Sequence, residues 1–285
     1  YQNGKSDEFL PASVIGHYKG VKDSDGLFCL NFRADRAQQI LSALADPEFA
    51  DFDRDNTPNW KTILGMVPYS DRHETFMDTC FPKRLIKHTL GDWVSQQGKR
   101  QFRLAETEKY PHVTFFLNGG QELPFTGEER HMPASPKVAT YDLKPEMASV
   151  AVTESLIEAL KTGFDLIVVN YANPDMVGHT GDLAAAVKAC EAVDHCLGSV
   201  LPTLEEMEGV MLLTADHGNC ETMVDQKTGL PHTAHTTNLV PVALINAPEG
   251  IGLCNGGKLA DVAPTLLALM NLPTPPEMTG RSLLL

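Results

Sequence analysis

Six side chains able to ligate a metal ion fall in three short clusters between Asn173 and Asn238: Asp175 and His179 in NPDMVGH, Asp216 and His217 in TADHGN, His232 and His235 in HTAHTTN. Carboxylate and neutral imidazole together suit Mn²⁺ or Zn²⁺, and a pair of such ions can clamp the attacking and leaving oxygens of a phosphate. Asp175 and His179 are spaced i, i+4, which puts them on one face if DMVGH enters a helix. Taken alone, that motif also reads as a capping aspartate with an incidental histidine. Asp216-His217-Gly218 likewise reads alone as a strand-ending turn. Their joint occurrence favours metal, because a glycine after the Asp-His pair lets the backbone bend and both side chains face one ion. His232 and His235 lie three apart, so either or both can bind. A loop histidine is more often solvated or hydrogen-bonded than a ligand, yet one of this pair is the best remaining candidate to complete the first ion's shell.

Three cations are candidates for an anionic substrate. Arg33 and Arg36 in NFRADR stand at a predicted strand-to-helix junction, and the arginine fork matches phosphate or carboxylate oxygens in pairs. The plain alternative is an exposed helix face with Asp35 pairing locally. Lys109, in AETEKYPHVTFFLNGG, precedes a predicted strand, with Glu106 and Glu108 either tuning its pKa or lying on the surface as solvated acids.

The elements that must hold these groups alternate. GLFCLNF and TILGMVPY read as strands around the helical RADRAQQILSALAD, and LIKHTLGDWVSQQ reads as a helix. HVTFFLNGG reads as a strand, PEMASVAVTESLIEALKTG as a helix and FDLIVVNYA as a strand. A long helix follows from Leu183 to Met207, then the strands GVMLLTA and LVPVALIN and the helix LADVAPTLLALMN. Near-continuous apolar strands alternating with amphipathic helices predict an α/β fold with a largely parallel sheet covered on both faces. In such sheets ligands gather beyond the carboxyl ends of strands, so the motifs after FDLIVVN and GVMLLTA share one rim. A domain boundary is placed near Phe81-Pro82.

The 285 residues, 42% apolar, suffice for a sizeable core. No run approaches the length of a membrane span. The opening YQNGKSDEF has no secretory profile, and the chain reads as cytoplasmic. A formal charge of -14 disfavours nucleic acid as a partner. The six cysteines lack CxxC pairing and read as reduced, mostly buried thiols.

NFRADR, AETEKYPHVTFFLNGG, SPKVATYDL, NYANPDMVGHTG, TADHGN and HTAHTTN together resemble the cofactor-independent phosphoglycerate mutases, which need no 2,3-bisphosphoglycerate. The ending ADVAPTLLAL…MTGRSLL is similar to the tail shared across the alkaline-phosphatase superfamily. The resemblance implies an alkaline-phosphatase-like domain over residues 83–285, preceded by the end of an inserted phosphotransferase domain over residues 1–82. It implies interconversion of 3- and 2-phosphoglycerate through a phosphoserine, in glycolysis and gluconeogenesis, by a protein that is a monomer when full length. By motif, Asp175, His179 and His235 would hold one Mn²⁺, and Asp216 and His217 a second, with Zn²⁺ or Co²⁺ as substitutes. Arg33 and Arg36 match the substrate-binding arginines, and Lys109 the phosphate-contacting lysine. No residue here matches the family's serine nucleophile; Ser70 and Ser135 sit in turn-like contexts and are not assigned, and the chain alone is expected to be inactive. The other readings are a metal-dependent phosphatase or phosphopentomutase-like relative, and a non-catalytic fragment.

Overall fold

Leu166 to Asn170 forms the strand on which the metal motifs depend, and its alternating side chains show how the sheet is built. In the computed structural model, which describes residues 11–82 and 86–285, this strand (β6, Leu166–Asn170) pairs in parallel with β4 (Gln101–Ala105), which pairs in parallel with β5 (Glu128–His131). Side chains of a strand alternate between faces. Leu166 and Val168 pack with Leu90, Val94 and Leu267, from α2 (Leu90–Gln96) and α6 (Val262–Leu269). Ile167 and Val169 pack with Leu104, Val152, Leu156 and Val200, from β4, α3 (Ser149–Thr162) and α5 (Leu183–Glu206). Helices therefore cover both faces, as the apolar character of the strand requires.

One pair of strands departs from parallel. β7 (Met211–Thr214) and β8 (Val242–Ile245) run antiparallel, Met211 opposite Ile245 and Thr214 opposite Val242. The loop between them carries His217, His232 and His235.

The chain divides after Leu85 into two compact units, and residues 83–85 lie outside the described ones. In the first unit, β1 (Gly26–Cys29), β2 (Thr62–Gly65) and β3 (Asp78–Thr79) form a parallel sheet. The helix α1 (Ala34–Ala45) buries Ala37 and Leu41 against Tyr69 and Met77. Asp46, just past α1, accepts from Arg72 Nε at 2.9 Å, which ties the helix end to the turn after β2.

The structure corrects two elements. HVTFFLNGG is not a strand: His112–Phe116 is a π-helical turn whose continuation bends through Gly119 and Gly120, both at positive φ. Short apolar runs do not separate strand from helix by periodicity, and this one was ambiguous. The strand at this point in the chain is QFRLA, disguised because Gln101 and Arg103 are polar yet fully buried. The helix in LIKHTLGDWVSQQ starts only at Leu90, where Thr89 caps it and His88, at φ 55°, breaks the preceding backbone. The start of that motif at Leu85 falls on an undescribed residue.

The thiols also differ from expectation. Only Cys196 is buried, while Cys80 and Cys190 are exposed and Cys29, Cys220 and Cys254 are half-buried.

Candidate metal centre

Parallel pairing sets the site. Ala105 at the end of β4 lies beside Asn170 at the end of β6, so the segments leaving both strands emerge at one rim. From β4 the chain passes through a short 3₁₀ turn, Thr107–Lys109, and brings Lys109 inward; from β6 it enters α4 (Asn173–Gly178), with Asp175 in the first turn. Lys109 thus follows a strand instead of preceding one. Its Nζ donates to Asp175 Oδ2 at 2.5 Å, and both side chains are largely buried.

The other carboxylate oxygen is crowded. Asp175 Oδ1 lies 3.2 Å from His179 Nε2, 3.0 Å from His235 Nε2 and 4.0 Å from His217 Nε2, and it accepts from Asn219 Nδ2 at 2.7 Å. The i, i+4 spacing of Asp175 and His179 does bring them onto one face of α4. His179 Nε2 and His235 Nε2 face each other at 3.0 Å, and the His217 ring stacks on His235 with centroids 3.7 Å apart. His179 is oriented by its Nδ1–H, which donates to the Thr233 carbonyl at 2.7 Å.

These contacts test whether a cation fits. Donors around a four-coordinate cation at about 2.1 Å stand roughly 3.4 Å from one another, close to the separations seen here. Two imidazole nitrogens and a carboxylate oxygen converge on one point, where a divalent cation would satisfy three lone pairs at once. The donor set is hard oxygen plus imidazole, which suits Mn²⁺, Zn²⁺ or Co²⁺.

Charge balance points the same way. Burial alone would raise the Asp175 carboxyl pKa, but hydrogen bonds from His179, Lys109 and Asn219 outweigh it and hold the group well below the usual carboxylate range. The Asp175 hydrogen bond raises His179, against the opposing effect of burial. Burial lowers His235, with His217 and His179 adding to the effect and Asp175 opposing it.

His217 also lies close to this group. Asp175, His217 and His235 form a three-donor set with ligand atoms within 4.8 Å of one another, although the resemblance assigns His217 to the second ion. Asp216 stands at the margin, exposed, its Oδ2 3.7 Å from His217 Nε2. His232 is outside the cluster; its backbone N–H donates to the Met223 carbonyl.

Two residues that the motifs did not single out hold the centre together. Asn219 donates to both the side chain and the backbone carbonyl of Asp175, and Glu221 accepts from the Asn219 N–H at 2.7 Å and from the Thr236 hydroxyl beside His235. Asn219 stands inside TADHGN, so its adjacency to the Asp216–His217 pair was the available signal. Gly218 in the same motif has an ordinary φ; glycine is needed because a Cβ would overlap Thr236 and Glu221.

The remaining candidates have surroundings of their own. Glu106 is fully buried and accepts from Ser135 Oγ at 2.8 Å and Ala148 N at 3.3 Å, while Glu108 accepts from the Tyr141 hydroxyl. Ser70 Oγ bonds His73 Nδ1 at 2.7 Å within its own turn. In the first unit Arg33 is exposed and its Nε donates to Asp35 Oδ2 at 2.8 Å; Arg36, in the first turn of α1, is exposed.

A rim of carboxylate and imidazole donors on an α/β sheet defines a metal-handling protein, and the sequence agrees. The metalloenzyme superfamily model matches residues 2–274, and the chain belongs to that superfamily. It is 63% identical over 284 residues to a protein of Ruegeria sp. (strain TM1040) and 61% identical over 284 residues to one of Paracoccus denitrificans, both named 2,3-bisphosphoglycerate-independent phosphoglycerate mutase. Each match covers 100% of this chain and 56% of the relative, so the chain spans about half the length of these relatives. Among solved structures, Leishmania mexicana phosphoglycerate mutase at low cobalt concentration superposes with a TM-score of 0.83 at 32% identity, covering 93% of this chain and 51% of that one. The resemblance carried by the motifs is therefore matched along the whole chain. No helix among the described residues is long and apolar enough to cross a membrane.

Proposed function

We propose that these 285 residues carry the metal centre of a cofactor-independent phosphoglycerate mutase, interconverting 3- and 2-phosphoglycerate at two Mn²⁺ ions. The observation that carries this reading is the convergence of Asp175, His179, His235 and His217 beside the buried ammonium of Lys109. Asp175, His179 and His235 would hold one ion, and Asp216 and His217 the other; Zn²⁺ or Co²⁺ would fit the same donors. Bound, such ions neutralise phosphoryl charge and lower the pKa of a hydroxyl nucleophile.

The protein's own groups do the remainder. Lys109, fixed on Asp175 Oδ2, offers its other N–H donors to a phosphoryl oxygen at the rim, where low exposure strengthens the attraction. Arg33 and Arg36 supply planar forks for the phosphate or carboxylate of the substrate. Asn219 and the Thr233 carbonyl keep Asp175 and His179 oriented as ligands. The activity is proposed for a chain of the relatives' full length, acting as a monomer on a small anionic substrate in the cytoplasm.

The test is phosphorus NMR of 3-phosphoglycerate with the full-length protein and Mn²⁺, without 2,3-bisphosphoglycerate. The expected result is 2-phosphoglycerate, abolished by chelation and restored by Mn²⁺. Inorganic phosphate as the sole product would replace the mutase with a phosphatase.

A further inference from the structure

Cys190 on α5 and Cys220 in the β7–β8 loop bring their sulfur atoms to 3.6 Å, though 30 residues separate them in the chain. Cys190 is exposed and Cys220 half-buried, so a small oxidant reaches them. The hydrogen bond from the Cys220 thiol pulls Cys190 down to about 7, against burial, while the Cys220 thiol is pushed up by the same contact. An accessible thiol that ionises near neutrality, next to a protonated partner, is the arrangement of a peroxide-reactive cysteine and its resolving cysteine.

We propose that Cys190 and Cys220 form a reversible disulfide, an oxidation-sensing modification site coupled to the Asp175 cluster through the loop that carries Cys220. The Cys190 thiolate attacks a peroxide oxygen, the O–O bond breaks, and a proton from solvent completes the departing water, leaving a sulfenic acid. The Cys220 sulfur then attacks that sulfur, the S–O bond breaks, and the Cys220 proton leaves with the hydroxyl as a second water. Two thiols lose two electrons and one peroxide becomes two waters. A small dithiol reverses the bond by exchange.

Closing the pair moves the sulfurs together by roughly 1.5 Å, since a disulfide spans about 2.0 Å. Cys190 is held in a helix of 24 residues, so the loop yields first. Cys220 sits between Asn219, which holds Asp175, and Glu221, which holds Thr236 beside His235. A shift of Cys220 therefore displaces both supports of the cluster. The coupling rests on the metal reading proposed above; the disulfide does not.

The experiment treats the reduced full chain with hydrogen peroxide, followed by peptide mapping without reductant and by Mn²⁺ titration. The expected result is a Cys190–Cys220 cross-linked peptide pair, reversed by dithiothreitol and absent in Cys190→Ser. Mn²⁺ affinity of the oxidised form should fall by on the order of tenfold and recover on reduction, while Cys190→Ser keeps its affinity under the same oxidant. Over-oxidised Cys190 without a cross-link, or a different cysteine pair, overturns the disulfide. A mapped Cys190–Cys220 bond with unchanged Mn²⁺ affinity overturns the coupling. A reduced protein that binds no Mn²⁺ sinks the metal reading instead, and with it the coupling, while the mapped cross-link still decides the disulfide.

Discussion

Asn219 is bonded to Asp175 twice, its Nδ2 donating to Oδ1 at 2.7 Å and to the backbone carbonyl at 3.2 Å. Gly178 makes the approach possible, because a Cβ there would overlap the Asn219 amide. The Asp175 carboxylate is thus oriented by a residue on another loop, across a gap that only glycine leaves open.

Gly178→Ala should therefore act like loss of Asn219. Both Gly178→Ala and Asn219→Ala are expected to weaken Mn²⁺ binding by about tenfold or more, as removal of the groups that orient metal ligands commonly does. Calorimetric titration measures this, and wild-type affinity in both variants would refute the orienting role.

Lys109→Met separates ligand from cation. With Lys109 gone, a positive charge 2.5 Å from Asp175 disappears, so Mn²⁺ should bind at least as tightly as in the wild type while phosphoryl transfer is lost. The metal-free protein should lose about 2 kcal/mol, less than for a fully orphaned buried charge because His179, His235 and Asn219 still face the carboxylate. A variant that binds metal much more weakly contradicts this placement of Lys109.

His235→Ala and His232→Ala discriminate the two histidines of HTAHTTN. Removing His235 takes away a nitrogen 3.0 Å from Asp175 Oδ1 and should abolish tight Mn²⁺ binding, whereas His232→Ala should retain it. Equal losses in titrations of the two variants would mean that either histidine serves.

Glu106 supplies a pH dependence away from the ligands. Burial raises its pKa above the reference value of 4.5, with hydrogen bonds from Ser135 and Ala148 partly offsetting this. A carboxyl raised in the folded state stabilises the fold fully below its unfolded pKa, and that contribution is lost as pH rises through the folded pKa. Glu106→Gln should accordingly become more stable relative to wild type as pH rises from about 4.5 towards neutrality. Denaturant melts at a series of pH values would show the two stability curves diverging; parallel curves would reject the idea.

The residue types and spacing of NPDMVGH, TADHGN and HTAHTTN were enough to single out Asp175, His179, His217 and His235, which the structure brings close together, since a metal-binding chemistry restricts the side chains that can serve. The α/β alternation and the strand β6 were equally legible, because a strand covered on both faces is usually marked by an apolar run, here Leu166 to Val169. Gln101 and Arg103 defeated that logic: polar side chains buried in β4 break the apolar run that marks an inner strand. The composition of HVTFF allowed either helix or strand, and the backbone around it decided. Which donors meet was likewise tertiary. His217 joins Asp175 and His235 because β4 and β6 end in register and the β7–β8 loop folds back over them, a juxtaposition that depends on strand pairing and not on spacing along the chain. The Cys190–Cys220 contact has the same origin. Side-chain chemistry is a local property that letters record, whereas a distance between remote segments exists only once the backbone hydrogen bonds and the core have fixed them.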